Sequence, residues 1–242
     1  MSEPLLQVRS IFRNFGALRA NDDVSLDVQA GEIVGLIGPN GAGKSTFFNI
    51  IAGALAPTRG QILFEGRDVT ALVPANRCRL GIARTFQVVR SFDSMSVIDN
   101  IVVGSLLRSH DARTARHMAC EMLEFVELEA RADTPAGDLT SPEKRRLELA
   151  RALATRPKLL LLDEVMAGLT PTEALRGIAL VKRIREIGVA IIMVEHVMEI
   201  VMPLADRIVV LDLGKIIASG SAAAITTDPL VVAAYLGESI RA

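Results

Sequence analysis

Cysteine and long apolar runs are both scarce in this chain, and each scarcity narrows the classes of protein it can belong to. The two cysteines, Cys78 and Cys120, lie far apart and show no metal-ligand spacing, which favours a reducing cytoplasm. The longest uncharged run, residues 45–58, contains glycine and proline and is shorter than the roughly 20 apolar residues that span a bilayer. The first ten residues lack the apolar core of a secretion signal. We therefore expect a chain without its own membrane anchor, although it can still dock onto a membrane protein.

Net charge is also nearly absent. The 27 basic and 28 acidic residues almost cancel, so the charge balance gives no reason to expect nucleic-acid binding. Half of the 242 residues are hydrophobic, which is enough for a sizeable core in one large or two small domains.

The order of the apolar patterns predicts an α/β fold with a helical insertion. Strand-like segments such as EIVGLIG, KLLLLDE and VAIIMVEH alternate with helix-like segments such as PTEALRGIALVKRIREIG. This alternation is typical of a parallel sheet that is covered on both faces. The first ~90 residues are predicted to form mostly strands and turns, and the stretch from about residue 88 to residue 153 is predicted to be all-helical. We interpret the chain as a single domain over 1–242, with a core at 1–87 and 154–242 and a helical subdomain at 88–153.

The segment GPNGAGKST matches the phosphate-binding pattern G-x-x-x-x-G-K-[ST]. Glycines let the backbone curl so that successive N–H groups point at one phosphate, and the following helix adds its positive end. In this pattern the lysine supplies a charge to the β- and γ-phosphates, and the serine hydroxyl binds Mg²⁺. The predicted ATP-binding residues of the loop are Gly38, Pro39, Asn40, Gly41, Ala42, Gly43, Lys44, Ser45 and Thr46.

A second chemical signal is LLLLDE, where a strand of four leucines delivers two carboxylates to its C-terminal end. Ligands of open α/β sheets bind at that end of the strands. Asp163 is predicted to hold Mg²⁺, and Glu164 is predicted to polarise the attacking water. Two such carboxylates alone are also typical of solvated strand ends, and it is their pairing with the glycine loop that favours a catalytic site.

These motifs, with three further segments, make the chain resemble an ABC-transporter ATPase subunit over nearly all of its length. The implied fold is a P-loop NTPase (RecA-like) core with an antiparallel β part and an inserted α-helical subdomain. By this resemblance ARTFQ supplies Gln87 as a ligand of metal and water, VEH supplies His196 for the γ-phosphate and water, and RNFGALRA supplies Phe15 to stack on adenine. The implied catalytic residues are Glu164, His196, Gln87 and Lys44, and the implied Mg²⁺ ligands are Ser45, Gln87 and Asp163.

Taken singly, each of the three further residues has an ordinary structural explanation. An aromatic residue such as Phe15 is more often part of a core, a glutamine can simply end a strand, and a histidine can cap a helix. Their order along the chain matches the family and favours the three together. Two other classes stay open, a soluble P-loop phosphotransferase and a non-transport ABC ATPase of DNA repair or translation. The second class usually carries a long coiled coil or a second ATPase unit, and neither is present here.

Four longer segments give a finer resemblance, and the last of them, the tail, lies outside the ATP chemistry. RTFQVVRSFDSMSVIDNI, LLLDEVMAGLTPTE, VEHVMEIV and the tail DPLVVAAYLGE resemble the ATP-binding subunits of branched-chain amino-acid importers. Relatives of that subfamily import urea, short amides or aromatic acids, and this chain does not identify the solute. The resemblance implies transmembrane permease subunits, a second ABC ATPase subunit and an indirect link to a solute-binding protein as partners. It also implies a peripheral location on the cytoplasmic face of the membrane.

The segment LTSPEKRR departs from the family signature, which is commonly L-S-G-G-Q. In the family this helix start faces a nucleotide held by the partner subunit. We expect Ser141 to cap the helix and Pro142 to occupy its first position. Pro142 lacks an N–H to donate, and Glu143 adds negative charge unless it suits the helix dipole and pairs with Lys144 or Arg145.

The departure predicts unequal composite sites in a heterodimer, although a homodimer stays possible. The residues expected to act in trans are Thr140, Ser141, Pro142, Glu143 and Thr170. The family often has an aspartate at the last of these positions, and Thr170 cannot supply that carboxylate for communication across the dimer.

Overall fold

The computed structural model describes residues 3–86, 90–166, 168–195 and 197–236, and these form two β-sheets with helices around them. The predictions for Gln87 and His196 lie outside the described residues. The described strands are β1 Leu6–Phe15, β2 Leu18–Val28, β3 Ile33–Ile37, β4 Arg59–Phe64, β5 Arg67–Asp68, β6 Ile82–Arg84, β7 Leu159–Asp163, β8 Ala190–Val194, β9 Arg207–Asp212 and β10 Lys215–Gly220. The described helices are α1 Lys44–Ile51, α2 Pro74–Leu80, α3 Val97–Ser105, α4 Ala112–Phe125, α5 Ser141–Ala154, α6 Pro171–Glu186, α7 Met198–Val201, α8 Ala222–Thr227 and α9 Pro229–Leu236.

The larger sheet has six strands in the order β10-β9-β3-β8-β7-β6, and only the edge strand β10 runs antiparallel to its neighbour. The strands β3 and β8 are buried along their whole length, as is β7 up to its last residue. Such uninterrupted apolar runs are what a parallel sheet covered on both faces requires. The C-terminal ends of β3 and β7 bring the glycine loop and Asp163 to the same edge of the sheet, as the sequence predicts.

The smaller sheet is antiparallel, in the order β2-β1-β4-β5. Its pairings β1–β2 and β1–β4 contain register shifts near Val8 and Ile11, where extra residues bend the strand. The inner face of this sheet packs on the core together with Phe47 and Phe48 of α1. The predicted antiparallel β part and the α/β core are therefore both confirmed.

The helices α3, α4 and α5 pack against one another and cover the other face of the large sheet. Alternate residues of β7 divide between the two cores: Leu160 and Leu162 face the helices, while Leu159 and Leu161 face the antiparallel sheet. Ser96 is the N-cap of α3, and its hydroxyl accepts a hydrogen bond from the Asp99 N–H. The proposed division at residues 88–153 stays a prediction.

The helix α2 was not expected from the sequence. It lies within the stretch that we predicted to form strands and turns, and it carries the almost fully buried Arg77. The guanidinium of Arg77 donates to the carbonyl oxygens of Ile50 and Ile51 at 2.7 Å each, at the C-terminal end of α1. Burial lowers the pKa of Arg77 to about 10, so the side chain stays charged and satisfies carbonyls that α1 leaves open. No helix within the described residues is long and apolar enough to cross a membrane.

Candidate functional site

The glycine loop links the end of β3 to the start of α1 and curls as an anion cradle must. Gly38, Gly41 and Gly43 all have positive φ angles, of 148°, 77° and 99°. A Cβ on Gly38 would overlap the carbonyl oxygen of Leu211, and a Cβ on Gly43 would overlap that of Ala20. Two of the glycines are therefore required both by their conformation and by the space around them. The loop leads directly into the N-terminus of α1, and such a glycine-rich turn before a helix start suits a phosphate.

Lys44 is the first residue of α1, and it is 6% exposed. Its Nζ donates to the carbonyl oxygens of Gly38 and Pro39 at 2.6 and 2.8 Å. The ammonium group is thus held over the mouth of the loop by the loop itself. Ser45 follows it on the exposed side of the helix, and its hydroxyl lies at the start of α1 as a metal ligand of this motif requires.

Asp163 ends β7 and is held by a cation from the neighbouring strand. Its Oδ2 lies 3.2 Å from Nη2 of Arg84, and the same guanidinium donates to Asn49 Oδ1 of α1 at 2.6 Å. The three side chains link β6, β7 and α1 at the edge of the sheet where the loop opens. An acidic side chain and the hydroxyl of Ser45 at this edge form a hard oxygen set of the kind that Mg²⁺ accepts together with phosphates and water.

Glu164 follows directly and adopts a strained backbone conformation. Its φ is +49°, in the left-handed region that residues other than glycine rarely adopt, and its N–H donates to the Val194 carbonyl at 2.9 Å. Such strain persists only where surrounding contacts impose it, and it is common at active sites. The conformation turns the chain sharply after β7, so that the carboxylates of Asp163 and Glu164 do not follow the regular alternation of a strand.

A further carboxylate, Glu195, lies beside Glu164 and was not singled out from the sequence. It is 2% exposed and accepts a hydrogen bond from the Met166 N–H at 3.0 Å. Burial raises the pKa of Glu195 to about 7, and the charge of Glu164 adds to the rise. Glu195 therefore ties the end of β8 to the chain that follows Glu164.

The aromatic residue predicted to stack on adenine, Phe15, ends β1 and is 46% exposed. The guanidinium of Arg13 lies 4.6 Å from the centre of its ring. Exposure of so large an apolar ring argues against the alternative of a core residue. A ring left open to solvent suits the stacking role, which stays a prediction.

The segment leading to Gln87 is held by a buried acid of the signature helix, a second residue that sequence reasoning missed. Glu148 is 6% exposed, and its Oε1 accepts the Phe86 N–H at 2.9 Å. Burial raises the pKa of Glu148 to about 7, and the hydrogen bond from Phe86 opposes that rise. The helix α5 is therefore connected by a side chain to the residue that precedes Gln87.

The start of α5 corrects three expectations. The cap is Thr140 rather than Ser141, because Glu143 lies three residues after Thr140 and completes a capping box with it. The helix therefore begins at Ser141, and Pro142 lies at the second helical position rather than the first. The Glu143 carboxylate accepts the Thr140 N–H and hydroxyl at 2.8 Å each. Its ion pair is with Arg131 at 3.0 Å, and not with Lys144 or Arg145. The hydrogen bond from the Thr140 N–H is the main reason why the pKa of Glu143 lies below its usual value.

Thr170 has the same arrangement at the start of α6. Its N–H and hydroxyl donate to Glu173 Oε2 at 2.8 and 2.7 Å. Each of the two helix starts that we expect to face a partner's nucleotide therefore carries its own carboxylate cap.

The described parts of the site define the chain as a P-loop nucleotide-binding protein. Comparison with known sequences then identifies the family. Residues 21–167 match the ABC transporter family, and residues 215–240 match the branched-chain amino acid ATP-binding cassette transporter family. This chain belongs to the ABC transporter family, and it is an ATPase of that family that binds ATP.

Individual relatives match along the whole chain. The chain is 38% identical to the high-affinity branched-chain amino acid transport ATP-binding protein BraF of Pseudomonas aeruginosa, over 99% of this chain and all of the relative. It is 39% identical to the corresponding LivG protein of Escherichia coli over the same shares. It is also 37% identical over both full lengths to the lipopolysaccharide export system ATP-binding protein LptB of Acidithiobacillus ferridurans.

Solved structures support the fold independently. A nucleotide-free ATP-binding cassette from an ABC transporter superposes with a TM-score of 0.88 at 32% identity, covering 96% of this chain and 99% of that one. A cassette in its ADP conformation gives the same TM-score and identity over 98% of this chain and all of the other. The predicted P-loop NTPase fold is confirmed.

Proposed function

We propose that this chain powers the import of branched-chain amino acids by hydrolysing ATP on the cytoplasmic face of a membrane, as a peripheral subunit. The observation that carries the solute class is the match of residues 215–240, which lie beyond the ATP-binding motifs, to the branched-chain amino acid cassette family. The names of the BraF and LivG relatives support the same class. The LptB relative shows that a similar cassette can serve export of a lipid, so the solute needs a direct test.

In the proposed mechanism the loop N–H groups and Lys44 bind the β- and γ-phosphates of ATP, and Phe15 stacks on adenine. Ser45 and Asp163 would hold Mg²⁺, which neutralises phosphate charge when bound. Arg84 forms an ion pair with the Asp163 carboxylate and also donates to Asn49 of α1, so it links the carboxylate to that helix. Glu164 orients water for in-line attack on the γ-phosphate, and the predicted roles of Gln87 and His196 complete this set.

A groove beside Glu148 is the proposed contact with the membrane subunit. It has a volume of roughly 540 Å³, and α2, α3, α5 and β6 form its walls. The exposed apolar side chains Phe86, Phe92 and Val103 line it. Apolar side chains around a concave surface suit a helix of the permease. The Glu148–Phe86 hydrogen bond at the floor of this groove would transmit movement of that helix to Gln87 and to α5.

We also infer that the two nucleotide sites of the assembled dimer are unequal. A nucleotide that faces α5 of this chain meets no N–H at Pro142, and the Thr140 N–H and hydroxyl already donate to Glu143. Three donors that a helix start could offer to an anion are therefore missing or engaged. The other site combines the glycine loop and Glu164 of this chain with the signature of the partner. In a heterodimer we expect that site to hydrolyse ATP faster.

The test of the function is reconstitution with the membrane subunits and the solute-binding protein in proteoliposomes. We expect ATP-dependent uptake of leucine, isoleucine and valine, and no uptake with Lys44→Ala. Uptake of urea, a short amide or an aromatic acid in place of these would assign a different solute to the same machinery. ATP hydrolysis that no membrane subunit stimulates would contradict the transport function itself.

A further inference from the structure

A second concave surface lies next to the groove, and it is strongly basic. It has a volume of roughly 650 Å³, and we call it the basic pocket. Five cationic side chains and one carboxylate line it, together with Leu80 and Gly81: Arg67, Arg79, Arg108, Arg156, Lys158 and Glu65. The chain as a whole has a formal net charge of −1, so this concentration of positive charge is local.

Part of that charge has a structural explanation. The C-terminal ends of α2, α3 and α5 all lie near the pocket, and Arg108 donates to carbonyl oxygens at two of them, those of Arg79 and Thr155. Each helix end is equivalent to at most about half a negative charge. Lys158 pairs with Glu65 at 2.5 Å. The three helix ends and Glu65 together offset about two and a half of the five positive charges, so a surplus of about two and a half remains.

One of the surplus cations is held in a strained conformation. Arg156 has a φ of +47°, although glycine would adopt this conformation without strain. Its side chain is exposed and lines the pocket. Arg79, on the other side, is also exposed, and the only hydrogen bond described for its guanidinium is to Asn76 within the same helix. Both side chains therefore present positive charge to the open side of the pocket.

The basic pocket and the groove share a wall. Cys78 and Thr155 line the groove, while the next residues, Arg79 and Arg156, line the pocket. The guanidinium of Arg108 donates to the carbonyl oxygens of Cys78 and Thr155, and so forms part of that wall. A polypeptide that occupies the groove would therefore pass directly beside the pocket.

We propose that the basic pocket binds an acidic segment of the transmembrane subunit, adjacent to the helix that enters the groove. This inference rests on the proposed function, because it takes the groove as the permease contact. Several carboxylates on one short segment would complement the surplus positive charge, and the apolar groove would hold the neighbouring helix. Complementary charge of this kind speeds association and fixes the register of a complex.

The test compares the double variant Arg79→Glu/Arg156→Glu with the matched control Arg113→Glu/Lys182→Glu. The control residues are exposed on α4 and α6, do not line the pocket, and give the same change in net charge. The binding of each full-length chain to the detergent-solubilised membrane subunits is measured at low and high salt. We expect the pocket variant to bind at least about tenfold more weakly at low salt, with a smaller difference at high salt, and the control to bind like the wild type.

Several outcomes would overturn the proposal. Equal affinity of the pocket variant and the wild type would do so, and so would an equal loss in the control. Binding of the wild type to phosphatidylglycerol vesicles that the pocket variant loses, with permease affinity unchanged, would assign the pocket to lipid instead. Failure of the wild type to bind the membrane subunits would refute the proposed function rather than the role of the pocket. If the double variant does not fold, Arg67→Glu on β5 carries the same expectation with a smaller effect.

Discussion

The buried carboxylate of Glu148 makes stability depend on pH in a way that one substitution isolates. Burial raises its pKa from 4.5 to about 7. Because the folded state binds this proton more tightly than the unfolded state, the stability contribution is full below about pH 4.5 and is lost as the pH rises through about 7. At 1.36 kcal/mol per pKa unit, the ionised carboxylate costs up to roughly 3 kcal/mol at pH 8.

The substitution is Glu148→Gln, which removes the charge and keeps an oxygen to accept the Phe86 N–H. We expect the free energy of unfolding of the variant to exceed that of the wild type by an amount that grows as the pH rises. Between pH 5 and pH 8 this difference should increase by about 2 kcal/mol. The measurement is urea unfolding of the isolated chain at several pH values. Glu124→Gln, at an exposed position on α4, is the matched control. Its difference from the wild type in free energy of unfolding should stay the same at all of these pH values. A difference for Glu148→Gln that does not change with pH would refute the reasoning.

Three further predictions concern the nucleotide sites. Gly43→Ala should abolish ATP binding, because the new Cβ overlaps a backbone carbonyl and because Gly43 has a φ of 99°. Binding of a fluorescent nucleotide measures this, and near-normal affinity would contradict the expectation. Phe15→Ala should weaken ATP binding about tenfold, in line with about 1–3 kcal/mol for ring stacking on a base, whereas Phe15→Tyr should retain it. Pro142→Gly with Glu143→Ala should raise ATPase or transport in the assembled complex, since it restores one N–H and frees two donors, at a cost of about 1 kcal/mol in helix stability. Unchanged rates in that double variant would count against unequal sites.

The glycine loop and the acidic strand could be predicted because their chemistry depends on residues close together in sequence. A buried strand before the glycines and four leucines before Asp163 are local patterns, and the sheet then brings their ends to one edge. The alternation of strand-like and helix-like segments along the chain was enough to predict the α/β class.

The cap of α5 was misplaced although the signal for it was present. Thr140 and Ser141 are adjacent hydroxyl residues, and either suits an N-cap. The glutamate three residues after Thr140 decides between them, since a capping box needs that spacing, whereas Ser141 has Lys144 there.

Glu148, Glu195 and the Arg84–Asp163 pair could not be predicted in this way. Each depends on contacts between segments far apart in sequence: Arg84 meets Asp163 only because β6 and β7 pair in parallel. Glu148 occurs in a helix pattern where an acidic residue is ordinarily exposed. Its burial follows from the packing of α5 beside β6, which no local pattern records.

The most direct test of the account is ATP turnover by Glu164→Gln in the complex with the membrane subunits. Lys44→Ala, which should lose ATP binding, is the companion variant. The account predicts that Glu164→Gln binds ATP with near-normal affinity and loses at least about 100-fold in hydrolysis, since positioned general-base assistance contributes about 10²–10⁴ in rate. Hydrolysis at the wild-type rate in Glu164→Gln would contradict the assignment of the carboxylate that follows β7 as the catalytic base.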